Sequence, residues 1–81
     1  MAKVRLFASL RAVAGTREVT IDARNVKQLM RELAMRYPEA ERYLKISTVV
    51  VNGKNVIHLK GGRTKLSEDD VVSIFPPMGG G

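Results

Sequence analysis

The chain contains no cysteine and no tryptophan. Without cysteine there is no disulfide, no thiolate metal site and no cysteine nucleophile. Aromatic side chains are scarce: Phe7, Tyr37, Tyr43 and Phe75. None is interleaved with basic residues as a base-stacking platform requires, so nucleic acid is not an expected partner. The single histidine, His58, has no acidic neighbour in sequence and reads as a surface or core-edge side chain rather than a catalytic base. Apolar runs are far too short to span a bilayer, and Met1-Ala2-Lys3-Val4-Arg5-Leu6 has no apolar signal region. The expectation is a soluble, cytoplasmic chain without membrane contact.

What is present fits one small domain. With 81 residues there is little volume for an enclosed active site, and a surface or a tail is a better working part. Hydrophobic content of 44% with 27% charged residues is a globular mixture rather than a disordered one. The net charge is +6, from 14 Lys and Arg against 8 Asp and Glu. The basic residues are spread from Lys3 to Lys65 without a cluster of five, which reads as a solvated basic surface.

Residues 3–8 alternate, with Val4, Leu6 and Ala8 on one side and Lys3, Arg5 and Phe7 on the other, which predicts a half-buried strand. A helical turn over Ser9–Ala14 ends at Gly15, and Val19 and Ile21 mark a second strand antiparallel to the first. Asn25 with Gln28 three residues on predicts a capped helix start. Val26, Leu29, Met30, Leu33 and Ala34 then form one apolar stripe, and Pro38 stops the helix at Tyr37. Residues 39–44 suit another short turn. Thr48-Val49-Val50-Val51 predicts a strand buried on both faces, Asn52-Gly53 a tight hairpin, and Val56-Ile57 the return strand. Residues 60–65 read as a loop, and Leu66 as a core plug before the turn at Ser67-Glu68-Asp69-Asp70. Val71, Val72, Ile74 and Phe75 form the last strand. The order β-β-α-β-β-β predicts an α+β fold: a mixed five-stranded sheet with one main helix on one face, the first and last strands parallel at its centre. The expected core holds Val4, Leu6, Val19, Ile21, Leu29, Leu33, Val49, Val51, Val72 and Ile74.

Internal candidates for chemistry are weak. Gly61-Gly62 lacks the lysine and hydroxyl spacing of a phosphate loop. The acidic triplet Glu68-Asp69-Asp70 reads as turn chemistry, Met30 and Met35 as helix core and rim, and no metal site is expected.

The unusual segment is Pro76-Pro77-Met78-Gly79-Gly80-Gly81. Prolines keep a chain extended as it leaves a strand, and glycines without Cβ can enter a narrow channel. Met78 to Gly81 reaches at most ~14 Å, enough to carry a terminal carboxylate into another protein's active site. The expected organisation is a domain over residues 1–75 and a flexible tail over 76–81.

The stretch from Leu66 through Asp70-Val71-Val72-Ser73-Ile74-Phe75 to the diproline and glycines resembles the C-terminal signature of the molybdopterin synthase small subunit. Val4-Arg5-Leu6-Phe7-Ala8-Ser9-Leu10-Arg11, Ala14-Gly15-Thr16 and Val51-Asn52-Gly53-Lys54 extend the likeness over nearly the whole chain. Asp69 stands where that family commonly has glycine. The resemblance, shared with other MoaD/ThiS-like sulfur carriers and the archaeal small modifiers, implies a β-grasp (ubiquitin-like) fold and a carrier that is not an enzyme by itself. It implies that Gly81 is adenylated by a ubiquitin-activating-type enzyme using ATP, then converted to a thiocarboxylate, no cofactor being held tightly by the carrier. Sulfur would then pass to a pterin precursor on the molybdopterin synthase large subunit. From the sheet itself an exposed apolar patch is expected around Phe7, Phe75, Pro76 and Pro77, where those partners would dock, with Met78, Gly79 and Gly80 leading the tail into the partner. The alternatives left open are a protein modifier joined to target lysines, a sulfur carrier for thiazole synthesis or transfer-RNA thiolation, and a binding module with an incidental tail.

Overall fold

Alternation in the first residues is realised in β1 (Ala2–Leu6), where Ala2, Val4 and Leu6 are buried while Lys3 and Arg5 are exposed. The computed structural model describes residues 1–77. The strand stops before Ala8, which is exposed and takes a positive φ of 51°, so Ala8 does not continue the buried row. The bend starts α1 (Ser9–Ala14), whose Leu10 is buried and whose end is closed by Gly15 at φ 73°, its N–H donating to the Arg11 carbonyl. Glycine adopts this left-handed cap without the Cβ clash other residues suffer. β2 (Glu18–Ile21) returns antiparallel to β1, pairing Val4 with Val19 and Ala2 with Ile21.

The main helix α2 (Val26–Arg36) starts at Asn25, whose side chain accepts the Gln28 N–H at 2.8 Å. Gln28 reaches back as well, but its Oε1 accepts from the Arg24 N–H at 2.7 Å rather than from Asn25. Val26, Leu29 and Leu33 are fully buried against the sheet, with Met30 and Ala34 packed at the margin. Each fully buried leucine contributes about 1.5–3 kcal/mol through its lost contact with water. Tyr37 ends the helix before Pro38, and a 3-10 turn (Pro38–Ala40) leads into α3 (Glu41–Leu44).

β3 (Thr48–Val51) buries Val49 and Val51 only; Thr48 is exposed and Val50 half-buried. The expectation of burial on both faces fails because one layer of helix covers one face of the sheet and the other face is open. Asn52 (φ 49°) and Gly53 (φ 85°) form the tight turn, both with the positive φ that a type I′ hairpin requires. The return strand β4 is Lys54–Asn55, not Val56-Ile57. There the Asn55 side chain accepts the Ile57 N–H at 3.0 Å and turns the chain into a 3-10 segment (Val56–His58). Val56 still joins the core.

β5 (Val71–Phe75) lies between β1, to which it is parallel, and β3, to which it is antiparallel. The sheet order is β2-β1-β5-β3-β4, with the first and last strands paired at the centre as the element order predicts. Nine of the ten expected core residues are buried; Val19 is half-buried and packs against the core from near the sheet edge. Leu10, Ala40, Leu44 and Val56 complete that core from the short helical segments.

Candidate functional site

The parallel register of the two central strands builds the site. Leu6 lies beside Ile74 on the buried face, so the next residue of each strand, Phe7 and Phe75, emerges on the open face side by side. Their rings stack with centroids 4.3 Å apart and planes 18° from parallel. Phe75 remains 39% exposed and Phe7 half-buried, so the pair is an apolar surface and not part of the core. Stacked aromatics of this kind offer large contact area with little rotamer freedom left to lose on binding.

Arg11 completes the feature, and the sequence reading overlooked it. Its guanidinium stands 5.7 Å from the Phe7 ring centroid, and its Nε donates to the Leu6 carbonyl at 3.3 Å. The signal was the four-residue spacing from Phe7 to Arg11 across a predicted helix start. A cation over an aromatic face stabilises the ring's position and sets a positive charge beside the apolar patch.

The inside–outside alternation of β5 continues past its end. Val72, Ile74 and Pro76 are buried, while Phe75 and Pro77 are exposed. Pro76 is therefore seated in the fold and fixes the direction of exit, and Pro77 stands with Phe75 at the surface. Met78, Gly79, Gly80 and Gly81, also expected at the site, lie outside the described residues.

The remaining candidates are structural. His58 is exposed at the end of its 3-10 segment. Asp70 is a turn clasp: its carboxylate accepts from the Ser67 N–H at 2.6 Å and from the Asn52 side-chain amide at 2.8 Å. Asn52 in turn accepts the Val71 N–H at 2.9 Å, tying the hairpin to the start of β5. Asp69 does not take a positive φ, so a residue other than glycine is tolerated there without backbone strain. Among the described residues no three His, Cys, Asp or Glu side chains group in a way that could hold a metal ion. No helix among them is long and apolar enough to cross a membrane.

The helix-backed mixed sheet is an arrangement that known proteins share. The sequence profile of the ThiS family matches residues 4–81. The chain belongs to the ThiS family. Small archaeal modifier protein 3 of Haloferax volcanii is 34% identical over 98% of this chain and 97% of its own. The solution structure of the small archaeal modifier protein 1 from Methanosarcina acetivorans superposes with a TM-score of 0.88 at 32% identity, covering 99% and 95% of the two chains. A putative molybdopterin converting factor, subunit 1, from Pyrococcus furiosus gives 0.80 at 28% identity over 95% and 97%. The fold is thus the ubiquitin-like β-grasp, and the ThiS family together with these relatives comprises small ubiquitin-like sulfur carriers and protein modifiers.

Proposed function

We propose that this chain is a carrier that works through the carboxylate of Gly81, activated by a ubiquitin-activating-type enzyme and converted to a thiocarboxylate. The observation that supports this best is the exposed Phe7–Phe75 stack, braced by Arg11, at the end of the strand that leads to the glycines. It gives a partner enzyme something to grip next to the segment it must thread.

The chemistry follows from the carboxylate's own weakness. An α-carboxyl ionises with a pKa of ~3.3–3.7 and at neutral pH is a poor electrophile. In the proposed sequence a Gly81 oxygen attacks the α-phosphorus of ATP and pyrophosphate leaves, giving an acyl-adenylate. The terminal sulfur of a persulfide then attacks the acyl carbon and AMP leaves. A second thiol attacks the other sulfur of the resulting acyl disulfide, the donor's own, forming a new disulfide with the donor and releasing the thiocarboxylate. Every reacting group other than Gly81 belongs to the partners. The carrier contributes the docking surface, the exit direction set by Pro76 and Pro77, and the unhindered lead-in of Gly79 and Gly80.

For the destination of the sulfur, the first reading is a pterin precursor held by a molybdopterin synthase large subunit, consistent with the likeness to the Pyrococcus furiosus converting factor. A second reading is supported by the relation to the Haloferax volcanii modifier: the activated Gly81 joins a target lysine as an isopeptide. Incubation with ATP, a cognate activating enzyme and a sulfur donor should raise the intact mass by the difference between sulfur and oxygen. Deleting Gly81 should abolish that shift. Pterin sulfuration after the shift selects the first reading, and thiol-resistant conjugates of higher mass select the second. A chain lacking Gly81 that still supports either reaction rules out both.

A further inference from the structure

The basic residues look scattered in sequence, yet the fold gathers four of them. Arg24, Lys60, Arg63 and Lys65 line an open cleft of about 500 Å³ together with Asn25, and no carboxylate lies among its lining residues. Lys27 packs behind the turn, where a β-carbon added to Gly62 would meet its Cβ at 3.4 Å, and it borders a different hollow beside Met30 and Glu41. The backbone explains the gathering. The chain around Lys65 pairs with the chain around Asn25 as an antiparallel bridge, with Val26 N–H donating to the Thr64 carbonyl at 3.0 Å and Leu66 N–H to the Arg24 carbonyl at 2.9 Å. A 3-10 turn (Gly61–Arg63) then curls back, held by the buried Thr64 hydroxyl, which accepts from the Lys60 N–H at 3.1 Å.

The helix start does not itself supply the anion site. Its Val26 and Gln28 N–H groups already donate to Thr64 and Asn25, so the side-chain cations carry the field. Arg24 and Lys65 also border a hollow that holds Asp22 and Glu68, whereas the Lys60 and Arg63 side of the cleft has no carboxylate among its lining residues and attracts an anionic partner. A second hollow of about 380 Å³ adjoins the cleft, lined by Leu59, Thr64 and the shared Lys60 and Lys65. Leu59 is 40% exposed there, and nearby Ile57 is 74% exposed. Leu59 thus adds one exposed aliphatic contact to the cation-lined face.

The position matters too. The cleft surrounds the start of α2, just after Ile21, which pairs with Ala2; Lys3 pairs with Val71 at that same end of the sheet. The Phe7–Phe75 stack lies at the other end of the central strands, one residue past the Leu6–Ile74 pair. The two surfaces can be occupied at once.

We infer that this face is a second docking site, for an acidic peptide segment of a partner protein whose carboxylates enter the cation cleft while an apolar side chain rests on Leu59. A peptide is favoured over single-stranded nucleic acid because no aromatic residue lines either hollow to stack a base, while Leu59 beside the lysines offers an apolar contact that a sugar-phosphate backbone does not use. The site does not depend on what happens at Gly81.

The test is fluorescence anisotropy of the full chain with a short labelled peptide alternating glutamate and leucine, beside a glutamine–leucine peptide of equal length and a single-stranded oligonucleotide. Saturable binding of the acidic peptide is expected, weakened by salt as exposed charge pairs are screened. Arg63→Glu with Lys65→Glu should weaken it about tenfold or more, and the milder Lys60→Gln with Arg63→Gln severalfold, both with circular dichroism unchanged. Leu59→Ser should weaken the peptide severalfold, and Phe75→Ala should leave it unaltered. Equal binding of the glutamine peptide, tighter binding of the oligonucleotide, indifference to Leu59→Ser, or no saturable binding would each overturn the inference.

Discussion

Phe7 and Phe75 face each other across the two central strands at 4.3 Å, though most of the chain separates them in sequence. Their meeting is a product of parallel register alone: shifting β5 by one residue against β1 would turn one ring into the core. That coupling gives the docking surface the rigidity of the sheet centre rather than of a loop.

Phe75→Ala should therefore separate binding from folding. With Phe75 39% exposed, the variant loses the stack and part of its burial, about 1–2 kcal/mol by chemical denaturation, and remains folded. Its affinity for the activating enzyme or the synthase large subunit should fall tenfold or more, since aromatic anchors carry disproportionate binding energy. Arg5→Ala, an exposed cation on the same face, should change affinity far less. Equal effects of the two variants would show that the aromatic pair is not the anchor.

The main helix supplies a contrast between two of its own residues. Leu33 is buried at 1% exposure, and Leu33→Ala should cost about 2–5 kcal/mol of unfolding free energy. Met35, on the solvent side of the same helix, should tolerate alanine within about half a kcal/mol. Denaturant titration of the pair checks the helix's rotational setting directly.

Why this helix was legible in sequence, and other parts were not, comes down to where the determining contacts lie. Asn25, Gln28, the apolar stripe and Pro38 all act within a turn or two of themselves, so pattern and structure coincide. The return strand was displaced by a single side chain, Asn55, which capped the following turn and took Val56 and Ile57 out of the ladder. β3 read as doubly buried because its β-branched run says nothing about how many layers surround the sheet. The cation cleft was invisible for a different reason: Arg24 and Lys65 become neighbours only through backbone bonds between distant segments. For the site, Phe7 and Phe75 were legible from strand parity, whereas Arg11 and the inward seat of Pro76 needed coordinates.

Ala8 carries the strain of the site. Its φ of 51° with ψ of −128° is a conformation that an L-residue with a Cβ resists and glycine accepts. Ala8→Gly relieves that strain but adds freedom to the unfolded chain, which opposes the gain by about 0.4–1 kcal/mol. The net expectation is a small rise in stability, up to about 1 kcal/mol, read as a higher midpoint in urea. A loss of stability as large as that of a helix-interior glycine substitution would mean that the bend at Ala8 is not held in the folded chain.

The hairpin clasp gives a prediction for the far end of β5. Asn52 takes a left-handed φ and makes two side-chain bonds, one to Asp70 and one to Val71. Asn52→Ala loses both and places a Cβ-bearing residue without local hydrogen bonds at positive φ, for a cost of about 1–3 kcal/mol. Asn52→Gly keeps the conformation and loses the bonds, so it should cost less. The order of the two midpoints in thermal melting measures how much of the clasp is backbone conformation and how much is hydrogen bonding.

The last prediction concerns the position of the reacting carbon. If the partner enzymes grip the Phe7–Phe75 stack and read the chain outward from Pro77, the distance to the activated carbonyl is counted in residues. One alanine added beyond Gly81 displaces that carbon by about 3.3–3.6 Å along an extended chain. Misplacement of even ~1 Å can lower a rate about a hundredfold, so the extended chain should be activated at least that much more slowly. Inserting a glycine between Pro77 and Met78 should do comparable harm by the same displacement, while leaving Gly81 itself unchanged. Both variants should melt like the parent chain, and ATP–pyrophosphate exchange catalysed by the activating enzyme gives the rate. Normal exchange with the inserted glycine but not with the added alanine would show that the enzyme recognises the terminal carboxylate alone and takes no measure from the aromatic pair.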